Sequence, residues 1–432
     1  MSFKNNFCPS PWFHMKITNS GNFEYCRWKS FDSKTEIRFY DKNYKQQIDN
    51  YFKKDLSNIR LQFLQGKQPD SCEPCRVMEK YNKISGRQKQ LLKIGVDQYH
   101  FEKSILSSNY KPDLDYSLHH SGQTTNKPID WQIDLGNYCN GACVFCGPES
   151  SSKIAQEYRK LGLTDQYPLP NWSDNENYLR EFIDYISEID NLKYLHFIGG
   201  ETLITPGFKN ILQGLITSDI AKNVSIGFTT NLSVWKQDIV DLLDQFKEVN
   251  LGVSIETLTE VNDYVRYPSR LDVVRQNLDK WTEHADSKNW LMQIRTTPTC
   301  LSIHDLLTVY DYAWENKIGI ESCNFLMKPE MMRISVLPQS VRAEISNKFK
   351  EWLINHNIEK SEVNFNIRDK NQYQNSLIYD LQSYVHYLDN AQDESFRLPE
   401  LVKFLKTLET NRHNSILNYL PQYENLFRSA GY

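Results

Sequence analysis

The middle of the chain alternates between short apolar runs and helical stretches. Runs rich in β-branched and aromatic residues predict six strands, at 131–136, 193–198, 223–229, 248–255, 291–297 and 319–326. Strands that alternate with helices are typical of βα units around a parallel sheet. In such sheets the chemistry lies at the carboxyl ends of the strands. The pattern therefore predicts an α/β core whose functional residues follow the strands.

The segments on either side of this core have other patterns. Apolar positions on both sides of Asn19-Ser20-Gly21 predict a hairpin, and residues 46–66 have helical spacing. Residues 107–128 are rich in Ser, Gly, Asn and Pro and are predicted to be a linker. Helical periodicity returns near the C-terminus. We therefore predict three parts, which are an N-terminal segment at 1–128, the core at 129–335 and a helical C-terminal region at 336–432.

Composition narrows the functional classes. The 432 residues carry a net charge of −4 with 24% charged residues, so a nucleic-acid-coating or membrane-surface protein is not expected. No apolar run of about 18 residues and no signal peptide is apparent. The nine cysteines are an odd number, which favours a reducing cytoplasm, where closely spaced cysteines indicate metal ligands rather than disulfides.

Three cysteines follow the first predicted strand of the core. Cys139, Cys143 and Cys146 have the spacing C-x3-C-x2-C, and soft thiolates suit Fe–S clusters and zinc. Three ligands are one fewer than the four that close an ordinary [4Fe–4S] or structural zinc site. One metal position would then remain open to an external molecule. By spacing alone, a partial zinc loop, a redox loop and three unrelated thiols remain alternatives.

Four further cysteines form a second pattern in the N-terminal segment. Cys8 and Cys26 lie on either side of the predicted hairpin, and Cys72 and Cys75 form a tight pair. Together they supply four thiolates, a complete closed site. The spacing does not distinguish zinc from a [4Fe–4S] cluster, and a zinc ribbon is the commoner interpretation of such spacing in isolation.

Polar residues follow the later strands of the core. Gly199-Gly200-Glu201 comes after the second strand, where two glycines let the backbone approach a ligand and a carboxylate can pair with an ammonium. The period of two places Ser254 and Glu256 on one face of the fourth strand. Thr297 shares a face of the fifth strand with Gln293 and Arg295, and we expect these inward polar groups to line a substrate cavity.

A run rich in Lys and Arg extends from Arg76 to Gly95 in the N-terminal segment. The default expectation for such a run is a solvated helix face. Contact with an anionic substrate or a partner is the alternative.

The three-cysteine loop, with Phe145 before its last cysteine, resembles the cluster loop of the radical S-adenosylmethionine (SAM) enzymes. Gly199-Gly200-Glu201 is similar to that family's Gly-Gly-Glu motif, which binds the amino group of SAM, although Thr202 stands where the family often has proline. Arg266 resembles an arginine that can pair with the cofactor carboxylate, with a surface salt bridge as the alternative. The resemblance implies cofactor contacts at Phe145, Gly199, Gly200, Glu201, Thr230, Asn231, Ser254, Glu256, Arg266 and Thr297.

The same resemblance implies a fold and a chemistry. The fold is a partial (β/α)6, TIM-like barrel with a small N-terminal Fe–S domain and a helical C-terminal extension. In this family a [4Fe–4S] cluster on the three cysteines cleaves SAM by one electron to methionine and a 5′-deoxyadenosyl radical, which abstracts hydrogen. The four-cysteine pattern is similar to the auxiliary-cluster domains called twitch or SPASM, although those usually follow the barrel. It implies a second [4Fe–4S] cluster, with zinc as the alternative.

The substrate is the least determined part of the prediction. Enzymes with auxiliary clusters mostly modify peptides or proteins, and the second cluster would assist electron transfer. The alternatives are oxidation or rearrangement of a small metabolite, such as an aminosugar or nucleotide, and a non-enzymatic Fe–S or zinc-binding protein. The expected partners are the substrate and an external electron donor such as flavodoxin or ferredoxin, without a membrane or nucleic acid. The sequence assigns no catalytic acid, base or radical-quenching residue.

Overall fold

An eight-stranded, mostly parallel sheet forms the centre of the chain in the computed structural model, which describes residues 6–27, 43–96, 104, 109–165, 170–321, 325–356 and 373–432. The strands are β1 (His14–Ile17), β2 (Phe23–Glu24), β3 (Asp130–Asp134), β4 (Tyr194–Ile198), β5 (Ser225–Thr230), β6 (Glu248–Ser254), β7 (Leu291–Arg295) and β8 (Gly319–Ile320). Their order across the sheet is β2-β1-β3-β4-β5-β6-β7-β8. Only β1 and β2 pair antiparallel. The predicted α/β fold with a parallel sheet is confirmed, and it is consistent with a partial barrel.

Helices surround the sheet and fill both flanking segments. The N-terminal segment contains α1 (Ser10–Phe13), α2 (Tyr44–Asn50), α3 (Ser57–Leu64), α4 (Glu73–Lys80), α5 (Gly86–Lys93) and α6 (Lys111–His119). The core contains α7 (Ser152–Lys160), α8 (Glu176–Ser187), α9 (Pro206–Thr217), α10 (Gln237–Leu243), α11 (Val261–Val265), α12 (Leu271–Ser287) and α13 (Leu307–Glu315). The C-terminal region contains α14 (Gln339–Asn355), α15 (Tyr373–Asn390), α16 (Leu398–Arg412) and α17 (Glu424–Ser429).

Helix α6 lies within residues 107–128, where the composition predicts a linker. Pro112 occupies the first turn of the helix, a position where its missing N–H costs nothing. Leu114 is buried at 2% exposure, and α6 packs against α3. A single apolar anchor was too weak a signal in a stretch otherwise rich in turn-forming residues.

The N-terminal hairpin belongs to the same sheet as the core. Gly21, with a φ of +81°, makes the turn between β1 and β2. Strand β1 then runs parallel to β3, with His14 opposite Asp130 and Ile17 opposite Ile133. The sheet therefore crosses the boundary that the sequence predicts at residues 128 and 129.

The two faces of the sheet differ in chemistry. Trp131 and Phe197 are fully buried and belong to the apolar layer shared with the helices. On the alternate positions of the same strands, Gln132 and His196 line a cavity. The period of two along each strand thus produces an apolar outer face and a polar inner face.

The C-terminal helices are fastened to the rest of the molecule by buried ion pairs. Lys83 Nζ lies 2.6 Å from Asp380 Oδ1 of α15, and the Tyr310 hydroxyl donates a hydrogen bond of 2.7 Å to Asp380 Oδ2. The side chains of Lys83 and Asp380 are 2% and 10% exposed. This contact joins the N-terminal segment, the core and the C-terminal region.

No helix within the described ranges combines the length and the apolar character that crossing a bilayer requires.

Candidate functional site

A cavity of about 380 Å³ opens at the carboxyl ends of the parallel strands. It collects residues that lie more than 150 positions apart in the sequence. The sequence-predicted residues that line it are Cys139, Cys143, Phe145, Cys146, Gly199, Gly200, Glu201, Thr230, Asn231, Ser254, Arg266 and Thr297. The polar residues Gln132, His196, Thr229, Arg295 and Glu321 share the same walls with Arg27 of the N-terminal segment.

The three-cysteine loop is held by backbone hydrogen bonds from neighbouring segments. The N–H of Ala142 donates to the Tyr267 carbonyl at 2.5 Å, and the N–H of Val144 donates to the Val265 carbonyl at 2.8 Å. A Cβ at Gly141 would lie 3.6 Å from Cys139 Sγ and 3.7 Å from Cys143 Sγ. The glycine therefore leaves open space between two of the three sulfurs.

These thiols must lose their protons to bind a metal, and their surroundings affect that loss differently. The hydrogen bond from Cys146 and the charge of Arg266 lower the pKa of Cys143 to about 7. Burial raises the pKa of Cys139 to about 12, so this group is protonated unless a cation replaces its proton. A bound iron supplies that positive charge and favours the thiolate. Three soft donors around an open space that faces a cavity fit a [4Fe–4S] cluster with one open iron.

The spacing of the thiols also bears on zinc. Sulfurs that share one zinc ion lie within about 4.6 Å of each other, since each Zn–S bond is about 2.3 Å. In the part of the chain that the structure describes, no three His, Cys, Asp or Glu side chains converge in a way that would hold a single ion. Among the described residues, the side chains by themselves therefore form no site for a single ion at either set of cysteines.

Gly199 and Gly200 bring the end of β4 against the backbone of the cysteine loop. A Cβ at Gly200 would lie 2.1 Å from the Tyr138 carbonyl oxygen, and Gly199 has a φ of +140°. The Gly200 N–H donates to the Gly136 carbonyl at 2.8 Å. These glycines thus permit a close approach between two backbone segments, and both also line the cavity where the sequence predicts a ligand.

Glu201 is a buried carboxylate at the centre of the site, with 1% exposure. It accepts hydrogen bonds from the N–H groups of Leu203 at 3.1 Å and Asn231 at 2.6 Å. Burial nevertheless raises the pKa of Glu201 to about 7. A carboxylate has about four acceptor positions, so Glu201 retains capacity for a further donor.

Asn231 connects this carboxylate to the cysteine loop. Its side-chain Nδ2 donates to Asn140 Oδ1 at 2.9 Å, and Asn140 in turn donates to Ser233 at 2.8 Å. Thr230, beside Asn231, also hydrogen-bonds Glu201. The ends of β3, β4 and β5 are therefore held together by one polar network.

Ser254 lines the cavity, whereas Glu256 does not. Glu256 is fully buried and accepts a 2.6 Å hydrogen bond from Arg266 Nη2 and a 2.8 Å bond from the Thr297 N–H. The chain has left β6 at Ser254, so the period of two no longer places the two side chains on one face. Glu256 therefore positions Arg266, rather than sharing the cavity wall with Ser254 as expected.

Arg266 forms this ion pair inside the protein, so the surface salt bridge considered for it does not occur. Its side chain is 11% exposed, and its guanidinium lies 5.5 Å from the centre of the Phe145 ring. Its Nε is buried without a hydrogen-bond partner among the described residues. One donor of this buried guanidinium thus remains available beside the cysteine loop.

The four N-terminal cysteines also come together. Burial raises the pKa of Cys8 to about 12 and that of Cys75 to about 11, and neighbouring cysteines raise both further. The pKa of Cys72 is raised by burial and then by Cys8, Cys26 and Cys75. These mutual effects place the four thiols in one region, although no three of them converge as ligands of a single ion among the described residues. Arg27, directly after Cys26, continues into the wall of the cavity.

Helix α5 contributes charges that sequence reasoning assigned to solvent. Lys89 Nζ lies 3.1 Å from Glu321 Oε1, and Lys93 pairs with Asp130 on β3. The two lysine side chains are 14% and 16% exposed, so the prediction of a solvated face was wrong for both. The i, i+4 spacing puts them on one side of the helix, a signal that could have identified an inward basic face.

Arg412, at the end of α16, is a further residue that the sequence did not reveal. It donates two hydrogen bonds to Glu157, at 2.9 Å and 2.6 Å, and a third of 2.8 Å to the Ala142 carbonyl. Its guanidinium also lies 4.7 Å from the centre of the Tyr267 ring. The C-terminal region thus contacts the cysteine loop directly.

Several solved structures resemble this chain. Streptococcus suis SuiB bound to S-adenosylmethionine is 15% identical, with a TM-score of 0.36, and the match covers 70% of this chain and 64% of SuiB. SuiB bound to the precursor peptide SuiA is 16% identical, with a TM-score of 0.36, and the match covers 71% of this chain and 64% of SuiB. The anSMEcpe structure with bound AdoMet is 17% identical with a TM-score of 0.38, over 53% of this chain and 61% of that one. No curated protein matches the chain significantly.

A family comparison identifies the core. Residues 133–292 match the family model of the Radical SAM superfamily, and this range contains the three-cysteine loop, Glu201 and Arg266. The superfamily consists of enzymes and implies SAM and a [4Fe–4S] cluster as cofactors. The match to the Radical SAM superfamily therefore extends over residues 133–292, which is less than half of this chain, and the chain spans less than two thirds of the length of SuiB.

Proposed function

We propose that this enzyme abstracts hydrogen from a peptide or protein substrate by radical SAM chemistry, with an auxiliary cluster that assists electron transfer. The observation that carries the proposal is one cavity whose walls hold three cysteine thiols, the buried Glu201 carboxylate and the buried Arg266 guanidinium. When bound, the [4Fe–4S] cluster would pass one electron from an external donor to SAM. This electron would cleave SAM to methionine and a 5′-deoxyadenosyl radical. Flavodoxin or ferredoxin would be a suitable donor.

The chain's own residues would bind and orient the cofactor. Cys139, Cys143 and Cys146 would hold the cluster, and Glu201 would accept hydrogen bonds from the SAM ammonium. The unpartnered Nε of Arg266 would donate to the SAM carboxylate, with Glu256 fixing the orientation of the guanidinium. The hydroxyls that line the cavity at Ser254, Thr230 and Thr297 are suited to the ribose.

The four N-terminal cysteines would hold the auxiliary [4Fe–4S] cluster, with zinc as the alternative. Their closeness and their buried, protonated character support a metal site, because a metal ion would offset the cost of burying the thiolates. Cys26 is adjacent in sequence to Arg27 of the cavity wall. A cluster at this position would lie beside the substrate and could accept the electron that remains after hydrogen abstraction.

The proposal of a peptide or protein substrate rests on the similarity of the four-cysteine pattern to auxiliary-cluster domains, whose enzymes mostly act on peptides. A small metabolite is the alternative substrate class. The polar inner face of the sheet is compatible with both classes.

Iron content would test the two cluster assignments. After anaerobic reconstitution we expect about eight irons and eight labile sulfides per chain, from two [4Fe–4S] clusters. The Cys139/Cys143/Cys146→Ala variant should retain about four irons and lose SAM cleavage. A Cys8/Cys26/Cys72/Cys75→Ala variant should also retain about four, and Cys300→Ala, at a fully buried cysteine outside both groups, should retain all eight.

Two results would contradict the proposal. About four irons falling to none in the first variant, with zinc retained, would make the N-terminal site structural and remove the electron-acceptor role. SAM cleavage that survives the loss of all three loop cysteines would place the radical chemistry elsewhere.

A further inference from the structure

A buried group of charges lies beside the cavity, away from the three-cysteine loop. It combines four cations, Arg27, Lys89, Lys93 and Arg295, with two carboxylates, Asp130 and Glu321. All six side chains are between 11% and 17% exposed. Among these six described side chains, which have little access to water, positive charges outnumber negative charges by two.

The histidines in the same region do not change this balance. Burial lowers the pKa of His14 to about 4, and burial together with Arg295 holds the pKa of His196 well below its usual value. Both rings are neutral near pH 7. The nearby Lys16 is paired with Glu24 at 3.1 Å and also interacts with Asp134, whose pKa burial raises to about 6. These three groups together add one negative charge, so one excess positive charge remains among the described residues.

The charged residues that would bind SAM have counter-charges of their own. Arg266 is neutralised by Glu256 at 2.6 Å, and Glu201 would receive the SAM ammonium. The positive excess therefore does not belong to the cofactor end of the cavity. It is made by Arg27 and Arg295 of the cavity wall together with Lys89 and Lys93.

Arg27 has a donor edge that no described residue occupies. Its Nε and Nη2 are buried and have no hydrogen-bond partner among the described residues. Its nearest carboxylate oxygen is Asp130 Oδ1, 3.7 Å from Nη2, which is an ion pair beyond hydrogen-bond distance. Nε and Nη2 form the side of a guanidinium that binds both oxygens of a carboxylate or phosphate at once.

Burying such an edge without an acceptor costs free energy, so its persistence in a cavity wall indicates a ligand. Arg295 lines the same cavity and donates to His196 Nε2 at 3.0 Å and Thr229 Oγ1 at 2.9 Å, while its Nη2 lies 3.1 Å from Glu321. These contacts fix Arg295 as a second, oriented positive charge in the wall.

We propose that the substrate of this radical SAM site carries an oxyanion, a carboxylate or a phosphate, that binds the Nε and Nη2 edge of Arg27 with Arg295 as a second cation. The inference rests on the proposed function and specifies its substrate class. For a peptide, the oxyanion would be an acidic side chain or the C-terminal carboxylate. The oxyanion would anchor the substrate between the SAM end of the cavity and the four-cysteine site, since Arg27 follows Cys26 directly.

Equilibrium dialysis would test the proposal on the full chain, reconstituted anaerobically and saturated with SAM. The probes are radiolabelled glutarate and radiolabelled inorganic phosphate, measured separately and in competition. We expect one equivalent to bind, and Arg27→Gln to weaken binding at least tenfold because both fork donors are lost. Arg27→Lys keeps the charge without the fork and should give an intermediate affinity. The probe that binds more tightly identifies whether a carboxylate or a phosphate is recognised.

Arg270→Gln is the matched control, because Arg270 is 72% exposed and pairs only with Asp272 at the surface in the described structure. It should bind both probes as the parent protein does. Iron content is measured on every variant, so that a loss of binding is not mistaken for a loss of the cluster next to Arg27. If Arg27→Gln loses iron, the test is the probe affinity of Arg27→Lys compared with that of the parent, provided that Arg27→Lys keeps the parental iron content.

The outcomes separate this inference from the proposed function. If the parent cleaves SAM but binds neither probe, or if the Arg27 variants bind as tightly as the parent, the oxyanion site is refuted while the proposed function stands. If the parent binds a probe through Arg27 but does not cleave SAM, the oxyanion site stands and the proposed function fails.

Discussion

Replacing Arg412 with methionine should destabilise the protein and loosen the cysteine loop. The Arg412 and Glu157 side chains are only 1% and 6% exposed and form a two-bond ion pair. The Arg412→Met variant would leave the buried Glu157 carboxylate with the Asn411 hydrogen bond and the charge of Lys153, without its paired guanidinium. It would also remove the donor to the Ala142 carbonyl. Breaking a buried pair in this way costs about 3–5 kcal/mol. That is a large share of the about 5–15 kcal/mol that holds a typical protein folded.

The loss should also depend on pH. Burial alone would raise the pKa of Glu157, but the hydrogen bonds and charge of Arg412 hold it below its ordinary value of 4.5. In the parent, the pair therefore contributes stability above about pH 4.5, and this contribution is lost as the pH falls through the lowered pKa. In Arg412→Met the burial effect remains, so the pKa of Glu157 rises and protonation relieves the buried charge. The difference between parent and variant should shrink as the pH falls from 7 towards 5.

Urea unfolding, followed by tryptophan fluorescence under anaerobic conditions, measures the effect. The Arg412→Met/Glu157→Leu double variant removes both charges and should be more stable than the single variant. Arg428→Met breaks an exposed pair with Glu424 and should change stability by less than about 1 kcal/mol. The reasoning is refuted if Arg412→Met lies within about 1 kcal/mol of the parent, or if the double variant is no more stable than the single variant.

Two further predictions concern the site and the docking of the flanking segments. Burial raises the pKa of Glu201 to about 7, so the affinity for SAM should fall as the pH drops from 8 to 6 and the carboxylate gains a proton. Glu201→Gln should bind SAM weakly at every pH. Equilibrium dialysis with labelled SAM measures both, and an affinity that does not change with pH would contradict the prediction. Lys83→Met should cost about 3–5 kcal/mol by removing the lysine counter-charge of the buried Asp380. Equal urea midpoints for the variant and the parent would argue against this expectation.

Local pattern was sufficient to predict the strands of the core. The alternation through Trp131-Gln132-Ile133 reports directly which side chains meet the helices and which meet the cavity. Each predicted core strand overlaps an observed one, from β3 to β8, because each is an apolar run bounded by turn residues. The positions of the cysteine loop and of Gly199-Gly200-Glu201 followed from the rule that functional residues succeed the strands.

Local patterns could not predict contacts between residues that are distant in sequence. Nothing local to His14 indicates that β1 will lie parallel to β3, more than 100 residues later. Lys89 and Lys93 were assigned to solvent because burying a charge is usually too costly. Their ion pairs with Glu321 and Asp130, both distant in sequence, offset that cost. Arg412 is separated from Ala142 by 270 positions, so its role required the folded chain.

The contact between Arg412 and the cysteine loop has a consequence for biosynthesis. A ribosome adds about 5–20 residues per second, so the loop emerges on the order of tens of seconds before the arginine that anchors it. During this interval the nascent core has its three thiols but lacks one of the hydrogen bonds that fix the Ala142 carbonyl. Cluster delivery to the growing chain would therefore meet an incompletely anchored acceptor. We expect the maturation machinery to load iron efficiently only after translation has passed residue 412.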